Sequence, residues 1–266
     1  MVKRITSQSN NTIKLFRGLQ SRKIRKQSGL FYIEGVRQVG EAIESDFPLH
    51  TIIYSPELLV ADYANEILEK ASHAEVDLVE VSDDVFQSFS IKEGPHGIAA
   101  VGYERYFNLH ETIIEGLWIA LENIQDPGNL GSILRSLDGA GGKGIFIIGN
   151  STDPFHPTAV RSSMGAVFYI PIIQASSQEF SNFVNAKELF CIGASCDATR
   201  NYKEQNYPEN MILLMGSEQK GISESMAKVC DAFVNIPMAG RVDSLNLANA
   251  ASIILFEIYT RKIKND

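Results

Sequence analysis

Met215-Gly216-Ser217-Glu218-Gln219-Lys220-Gly221-Ile222, Ile236-Pro237-Met238 and Ser244-Leu245-Asn246-Leu247-Ala248-Asn249-Ala250-Ala251 are three places where an apolar run gives way to a turn. The last of them opens a helix. A fourth stretch lies upstream, Asn123-Ile124-Gln125-Asp126-Pro127-Gly128-Asn129-Leu130-Gly131-Ser132-Ile133-Leu134-Arg135. Here Asp126-Pro127-Gly128-Asn129 is turn chemistry, and Asn129 is expected to cap a helix starting near Leu130. Ile133, Leu134 and Leu137 mark the buried side of that helix, and Arg135 falls on another face. Apolar runs at 116–121, 144–148, 168–172, 189–193, 211–215 and 232–236 read as strands covered on both sides, as in a parallel sheet flanked by helices, and a final helix is expected over 244–262.

In an open parallel sheet, ligands gather beyond the carboxyl ends of the strands, where these turns lie. Gly216 lacks a Cβ and lets backbone approach a ligand closely. Met238-Ala239-Gly240 offers a second such place, and Ser244-Leu245 a third at a helix N-terminus. No GxGxxG follows the first strand, so a Rossmann nicotinamide site or a Rossmann-type methyltransferase site has little support.

Working outward, residues 30–103 alternate strand-like runs at 30–34, 49–54, 76–81 and 97–102 with helical patterns at 36–45, 56–71 and 83–89, a second α/β layer structure. A polar connector over 104–115 separates the halves. The domains are therefore expected over 1–105 and 106–266.

The chain of 266 residues is 44% hydrophobic and 21% charged, as in a soluble globular protein, and has no apolar run long enough to cross a bilayer. A cytoplasmic location without membrane attachment is the expectation. Cys191, Cys196 and Cys230 form no CxxC and are read as reduced core residues, and the five histidines are scattered, so no metal site is expected. The net charge of −8 hides a segregation: residues 1–26 carry eight bases and no acid, and the other 240 residues carry 16 bases against 32 acids. A basic arm on an acidic body fits phosphate-backbone binding, and equally a solvated basic helix.

The ordered motifs resemble those of the SpoU (TrmH) branch of the SPOUT RNA methyltransferases, and the likeness covers nearly all of 117–260. Ile5-Thr6-Ser7, Arg22-Lys23-Ile24-Arg25 and Gly29-Leu30-Phe31-Tyr32-Ile33-Glu34-Gly35 resemble the L30e-like substrate-binding domain found ahead of many such catalytic domains. The resemblance implies an α/β trefoil-knot domain behind an L30e-like α/β domain. It also implies transfer of a methyl group from S-adenosylmethionine to a ribose 2′-hydroxyl of RNA. The extra domain and basic arm favour ribosomal RNA over tRNA. A non-catalytic RNA-binding or assembly factor that has kept the fold is the rival.

Matched position by position, the catalytic set is Arg135, Asn129, Glu218, Ser244 and Asn246, and the cofactor set is Gly216, Ile236, Met238, Ser244 and Leu245. Read from the residues alone, Asn129 could equally be a helix cap, Arg135 a surface ion-pair donor, Glu218 a cap for a helix near Ile222, and Asn246 a partner for buried backbone. RNA contacts are expected from Lys14, Arg17, Arg22, Lys23, Arg25 and Arg161. Relatives pair as two-fold dimers through the last helix. Here its apolar residues Leu245, Leu247, Ala248, Ala251, Ile254, Leu255 and Ile258 cover more than one face, so a homodimer through the C-terminal domain is expected.

Overall fold

A computed structural model describes residues 3–60, 62–73 and 76–265; Ala61, inside the expected helix 56–71, and the first two residues of the basic arm lie outside them. The chain runs β1 (Lys3–Ile5), α1 (Asn11–Gly18), α2 (Arg22–Ser28), β2 (Leu30–Glu34), α3 (Val36–Glu44), β3 (Leu49–Tyr54), α4 (Asp62–His73), β4 (Asp77–Val81), α5 (Asp83–Gln87) and β5 (Ile98–Tyr103). It continues with β6 (Leu117–Glu122), α6 (Pro127–Gly139), β7 (Gly144–Ile148), α7 (Pro157–Ser163), α8 (Ala166–Tyr169), β8 (Ile172–Ala175) and α9 (Ser177–Lys187). The last elements are β9 (Phe190–Ala194), β10 (Met211–Met215), α10 (Glu224–Ala227), β11 (Ala232–Val234) and α11 (Leu247–Asn265).

Two compact units result: one takes the chain through Glu104 together with Asp153–Tyr169, and the other takes Arg105–Thr152 and Ile170–Asp266. The first unit's sheet has the order β1-β4-β3-β5-β2, with β5 antiparallel to both β3 and β2. Phe16, Tyr32, Phe86 and Phe89 pack at its centre. Phe155 and Phe168, from the distant segment, build a separate aromatic group with Phe31 and Phe47: Phe31 lies 4.6 Å from Phe155 and Phe47 lies 5.1 Å from Phe168, centroid to centroid. Aromatic contacts of this kind add to the area that they bury.

The same segment carries the first unit's buried ion pair. Arg25, fully buried, donates through Nε to Asp153 Oδ2 at 2.8 Å, with Nη2 also 2.8 Å from that oxygen. Its Nη1 reaches the carbonyls of Leu19 at 2.8 Å and Gln20 at 3.0 Å. Burial pushes the neighbouring Glu104 carboxyl up to about 7, and the nearby Asp153 carboxylate adds to the shift.

In the second unit every strand is parallel, in the order β11-β9-β10-β6-β7-β8. Chain order reverses between β6 and β10, which lie side by side with Met215 opposite Leu121. Loops that leave such a pair part in opposite directions and open a crevice at the strand ends.

Several expected boundaries move for local reasons. The run at 168–172 is no strand up to Pro171: Phe168 ends up in the single-turn helix α8, buried among aromatic rings, and β8 starts at Ile172. β11 stops at Val234, and α4 starts at Asp62 rather than Pro56. The last helix starts at Leu247, because Asn246 Oδ1 accepts from the backbone of Ala248 and Asn249 at 2.9 and 3.3 Å and so takes the cap position. Helices α1, α7 and α9 were not expected. Of the cysteines, Cys191 is buried and Cys230 half-buried, but Cys196 is exposed, which corrects its reading as a core residue.

Candidate active site

The crevice between β6 and β10 is built from the loops beyond both strands. At the end of β6, Asp126, not Asn129, caps α6: its Oδ1 accepts from Asn129 N at 2.7 Å, with Pro127 in the first turn, where a missing N–H costs nothing. The expectation that Asn129 caps the helix is thereby corrected, and its side chain is left free for other contacts. Asn123, with φ 54°, accepts from Asn150 N at 2.9 Å, and Ser151 accepts from Ile124 N at 3.2 Å, so the loops after β6 and β7 brace one another.

Beyond β10 the chain makes a tight loop. Ser217 and Gly221 exchange backbone hydrogen bonds of 3.1 and 2.9 Å. A Cβ on Gly216 would stand 2.0 Å from the Gly221 carbonyl carbon. Only glycine fits there, because the loop closes back onto the strand end. Glu122, the last residue of β6 and itself buried, holds the base of this loop by accepting from Ser223 N at 2.9 Å and Ser223 Oγ at 2.6 Å. Ser223 in turn caps α10, a role that the sequence had left open for Glu218.

Glu218 instead accepts from Asn129 Nδ2 at 3.0 Å, and Asn129 Oδ1 accepts from Asn246 Nδ2 at 3.0 Å. Three residues from three separate motifs thus form one chain of hydrogen bonds. Its far end, Asn246, is also the cap of α11. Both ends of the Asn129 amide are committed, which fixes its orientation. Arg135 lies exposed on α6 and makes no ion pair among the described residues, contrary to its reading as a surface salt-bridge donor. Ser244 is exposed and makes no hydrogen bond among them; Leu245, Ile236 and Met238 are half-buried in the segment joining β11 to α11. Gly240, read as a second place of close approach, has open space around it.

One feature fits a bound nucleotide-like group in this region: Asn235 Oδ1, one residue before Ile236, is buried with no hydrogen-bond partner among the described residues. Buried acceptors without partners are rare and call for an explanation.

In the first unit, Lys14, Lys23 and Arg22 are exposed. Arg17 is exposed but bonded to Ser88 O at 3.2 Å and Ser88 Oγ at 3.0 Å. Arg161 is exposed on α7. Arg25 is corrected outright: it is sealed inside the unit on Asp153, and no RNA phosphate can reach its guanidinium. Of the residues that sequence reasoning missed, Glu122 was detectable as a lone acid ending the apolar run Leu117-Trp118-Ile119-Ala120-Leu121.

A parallel sheet with polar side chains and a side-chain-excluding loop gathered at its switch point is the binding end of an α/β enzyme. The chain belongs to the SpoU rRNA Methylase family, whose model matches residues 116–256. Residues 10–100 match the MRM3-like substrate binding domain. The chain is 29% identical to the 23S rRNA (uridine(2479)-2′-O)-methyltransferase of Streptomyces viridochromogenes, over 98% of this chain and 93% of that protein. It is 26% identical to the 23S rRNA (guanosine(2553)-2′-O)-methyltransferase RlmP of Bacillus subtilis, over 97% and 99% of the two chains. Among solved structures, the AdoMet-bound rRNA methyltransferase from Sinorhizobium meliloti superposes with a TM-score of 0.89 at 32% identity, over 98% of both chains. The fold is therefore that of an α/β SPOUT methyltransferase with a substrate-binding domain ahead of it, the class that the sequence motifs implied.

Proposed function

We propose that this protein is an RNA 2′-O-ribose methyltransferase that uses S-adenosylmethionine and acts on 23S-type ribosomal RNA. The observation that carries the reading is the hydrogen-bonded chain Glu218–Asn129–Asn246, which joins three motifs at the sheet's switch point. Both named relatives act on 23S rRNA, which supports that substrate over tRNA. S-adenosylmethionine supplies an electrophilic methyl group when bound. Gly216, Ile236, Met238, Ser244 and Leu245 are the residues that would hold it, mostly through backbone.

Arg135 has a pKa too high for a general base at neutral pH. Its role is to hold the target ribose or phosphate and to stabilise charge developing on the 2′-oxygen. Asn129, fixed at both ends, and Glu218 and Asn246 beside it keep the loops of the three motifs in register, so that the hydroxyl is presented in one orientation.

Lys14, Arg17, Arg22, Lys23 and Arg161 contribute cationic surface for the RNA backbone. The protein works as an isologous homodimer through α11. Of the seven apolar residues whose spread over more than one face suggested a partner, Ala248, Ala251, Ile254, Leu255 and Ile258 are buried within the chain itself. A different face is left, formed by Ile253, Phe256, Tyr259 and Ile263, which are 37–56% exposed and recur at helical spacing. Mapping 2′-O-methyl groups in ribosomal RNA from cells with and without this protein tests the reading; identical maps would overturn it.

A further inference from the structure

Strand β6 is apolar from Leu117 to Leu121 and then ends on Glu122, which is only 2% exposed. A carboxylate in that position costs desolvation free energy unless donors satisfy it. Ser223 supplies both donors: its N–H reaches Oε2 at 2.9 Å and its hydroxyl reaches Oε1 at 2.6 Å. A carboxylate offers acceptors only, which suits two donors from one residue, and the pair fixes Ser223 in direction as well as distance. Ser223 is also the N-cap of α10, where its Oγ accepts from Met226 N at 3.3 Å.

The grip extends over a whole loop. Met215 is opposite Leu121 in the parallel pair, so Glu122 is next in register to Gly216, where the loop leaves β10, and it holds Ser223, where the loop ends. Side-chain hydrogen bonds tie residues 216–223 to the segment 122–129 at two points among the described residues: Glu122 to Ser223 at the foot, and Asn129 to Glu218 at the tip. The two differ in kind. Glu218 is exposed, so water competes for its bond to Asn129. Glu122 is sealed, and no water takes its place when its bonds are removed. The position of the loop therefore depends on the foot more than on the tip.

We propose that Glu122 is a positioning residue for S-adenosylmethionine: it holds the loop of residues 216–223 where Gly216 meets the cofactor, and so sets cofactor affinity without touching the reacting atoms. The proposal rests on the reading of Gly216 as a cofactor contact. Removing the carboxylate leaves the N–H and the hydroxyl of Ser223 facing an apolar strand end, and the loop moves toward water to satisfy them. Only the fraction of molecules with the loop in place then binds cofactor, and the apparent affinity falls by that fraction. With cofactor saturating, the loop is back in place, and Arg135 and Asn129, carried on α6, act as before.

The test is calorimetry of S-adenosylmethionine binding to the full-length protein, with single-turnover methyl transfer at saturating cofactor beside it. Glu122→Met keeps the length of the side chain and removes its acceptors; affinity should weaken about tenfold or more, while transfer at saturation stays within about threefold of native. Glu122→Gln should restore affinity to within about threefold, because its Oε1 accepts from Ser223 N and its Nε2 donates to Ser223 Oγ. A purely structural role would lower the melting midpoint of Glu122→Met and leave the affinity of the folded protein native. That result, with binding impaired in Gly216→Ala, would overturn the role of Glu122 alone; native binding in both variants would overturn the reading of Gly216 beneath it. A Glu122→Met protein slowed about a hundredfold at saturating cofactor would make Glu122 part of the chemistry, and this too overturns the positioning role. If Glu122→Met does not fold, Ser223→Ala, which leaves the backbone bond to Glu122 and removes the hydroxyl bond, decides the matter: affinity several-fold below native upholds the role, and a native value overturns it.

Discussion

Replacing Arg25 with alanine separates two roles that its sequence position leaves open. If Arg25 were part of the basic RNA surface, Arg25→Ala would cost little stability and would flatten the salt dependence of RNA binding. In the structure it is fully buried, bonded to Asp153 and to the Leu19 and Gln20 carbonyls. Truncation strands the Asp153 carboxylate, whose side chain is only 9% exposed, away from water and cation alike. Breaking a buried pair by removing one partner costs about 3–5 kcal/mol, against total stabilities of about 5–15 kcal/mol. With a urea dependence of about 2 kcal/mol per molar, the first unfolding midpoint should drop by about 2 M. Arg25→Met combined with Asp153→Leu removes both charges and should recover most of that loss. Urea titration followed by circular dichroism measures the midpoints. A loss below about 1 kcal/mol for Arg25→Ala, accompanied by a flatter RNA salt slope, would refute the structural role and restore Arg25 to the RNA surface.

Five further variants have outcomes set by the geometry. Glu104, with its carboxyl pushed up to about 7, binds its proton more tightly folded than unfolded. Its stability contribution is therefore present at low pH and is lost as pH rises from the ordinary carboxylate range through about 7. Glu104→Gln should raise the melting midpoint at pH 8 and not at pH 4, by about 1 kcal/mol once screening of a half-buried group is allowed for. Gly216→Ala already places a carbon 2.0 Å from the Gly221 backbone, so calorimetry should show S-adenosylmethionine binding lost or severely weakened, with retained affinity counting against the loop assignment. Arg135→Ala should keep cofactor affinity and lose about a hundredfold in single-turnover methyl transfer, whereas Asn129→Asp, which sets a second carboxylate against Glu218 at a 3.0 Å contact, should impair both. Phe256→Glu on the exposed face of α11 should convert a dimer to a monomer in light scattering; a native protein that is already monomeric would remove the dimer.

The sequence was most legible where residue pattern and physical cause coincide. Met211–Met215 and Gly144–Ile148 are uninterrupted apolar runs, and both are strands at the expected residues. The motif residues Asn129, Glu218 and Asn246 were picked out as a set, but their mutual hydrogen bonds depend on topology that brings positions 117 residues apart within 3.0 Å. Arg25 misled because composition counts its charge with its neighbours' and cannot see that helix α2 turns this one residue inward. Helix α9 was missed although Ser176 and Glu179 form a capping box ahead of Phe180, Phe183 and Val184, a readable signal that went unused. The boundary at α6 shifted because Asp-Pro offers two competing ways to start a helix, and the proline fixed the earlier one.

The segment Asp153–Tyr169 belongs to the first unit but is synthesised between β7 and β8 of the second. On a ribosome, the first unit therefore cannot complete its core when residue 104 emerges. Phe31 and Phe47 wait for Phe155 and Phe168, and Arg25 waits for its counter-ion, until some 65 further residues have been translated. By then β6, α6 and β7, which all precede Asp153, are already outside the tunnel. A fragment cut after residue 104 should accordingly be a sticky, aggregation-prone intermediate rather than a free-standing RNA-binding module, and a usable version must graft the later segment back onto it.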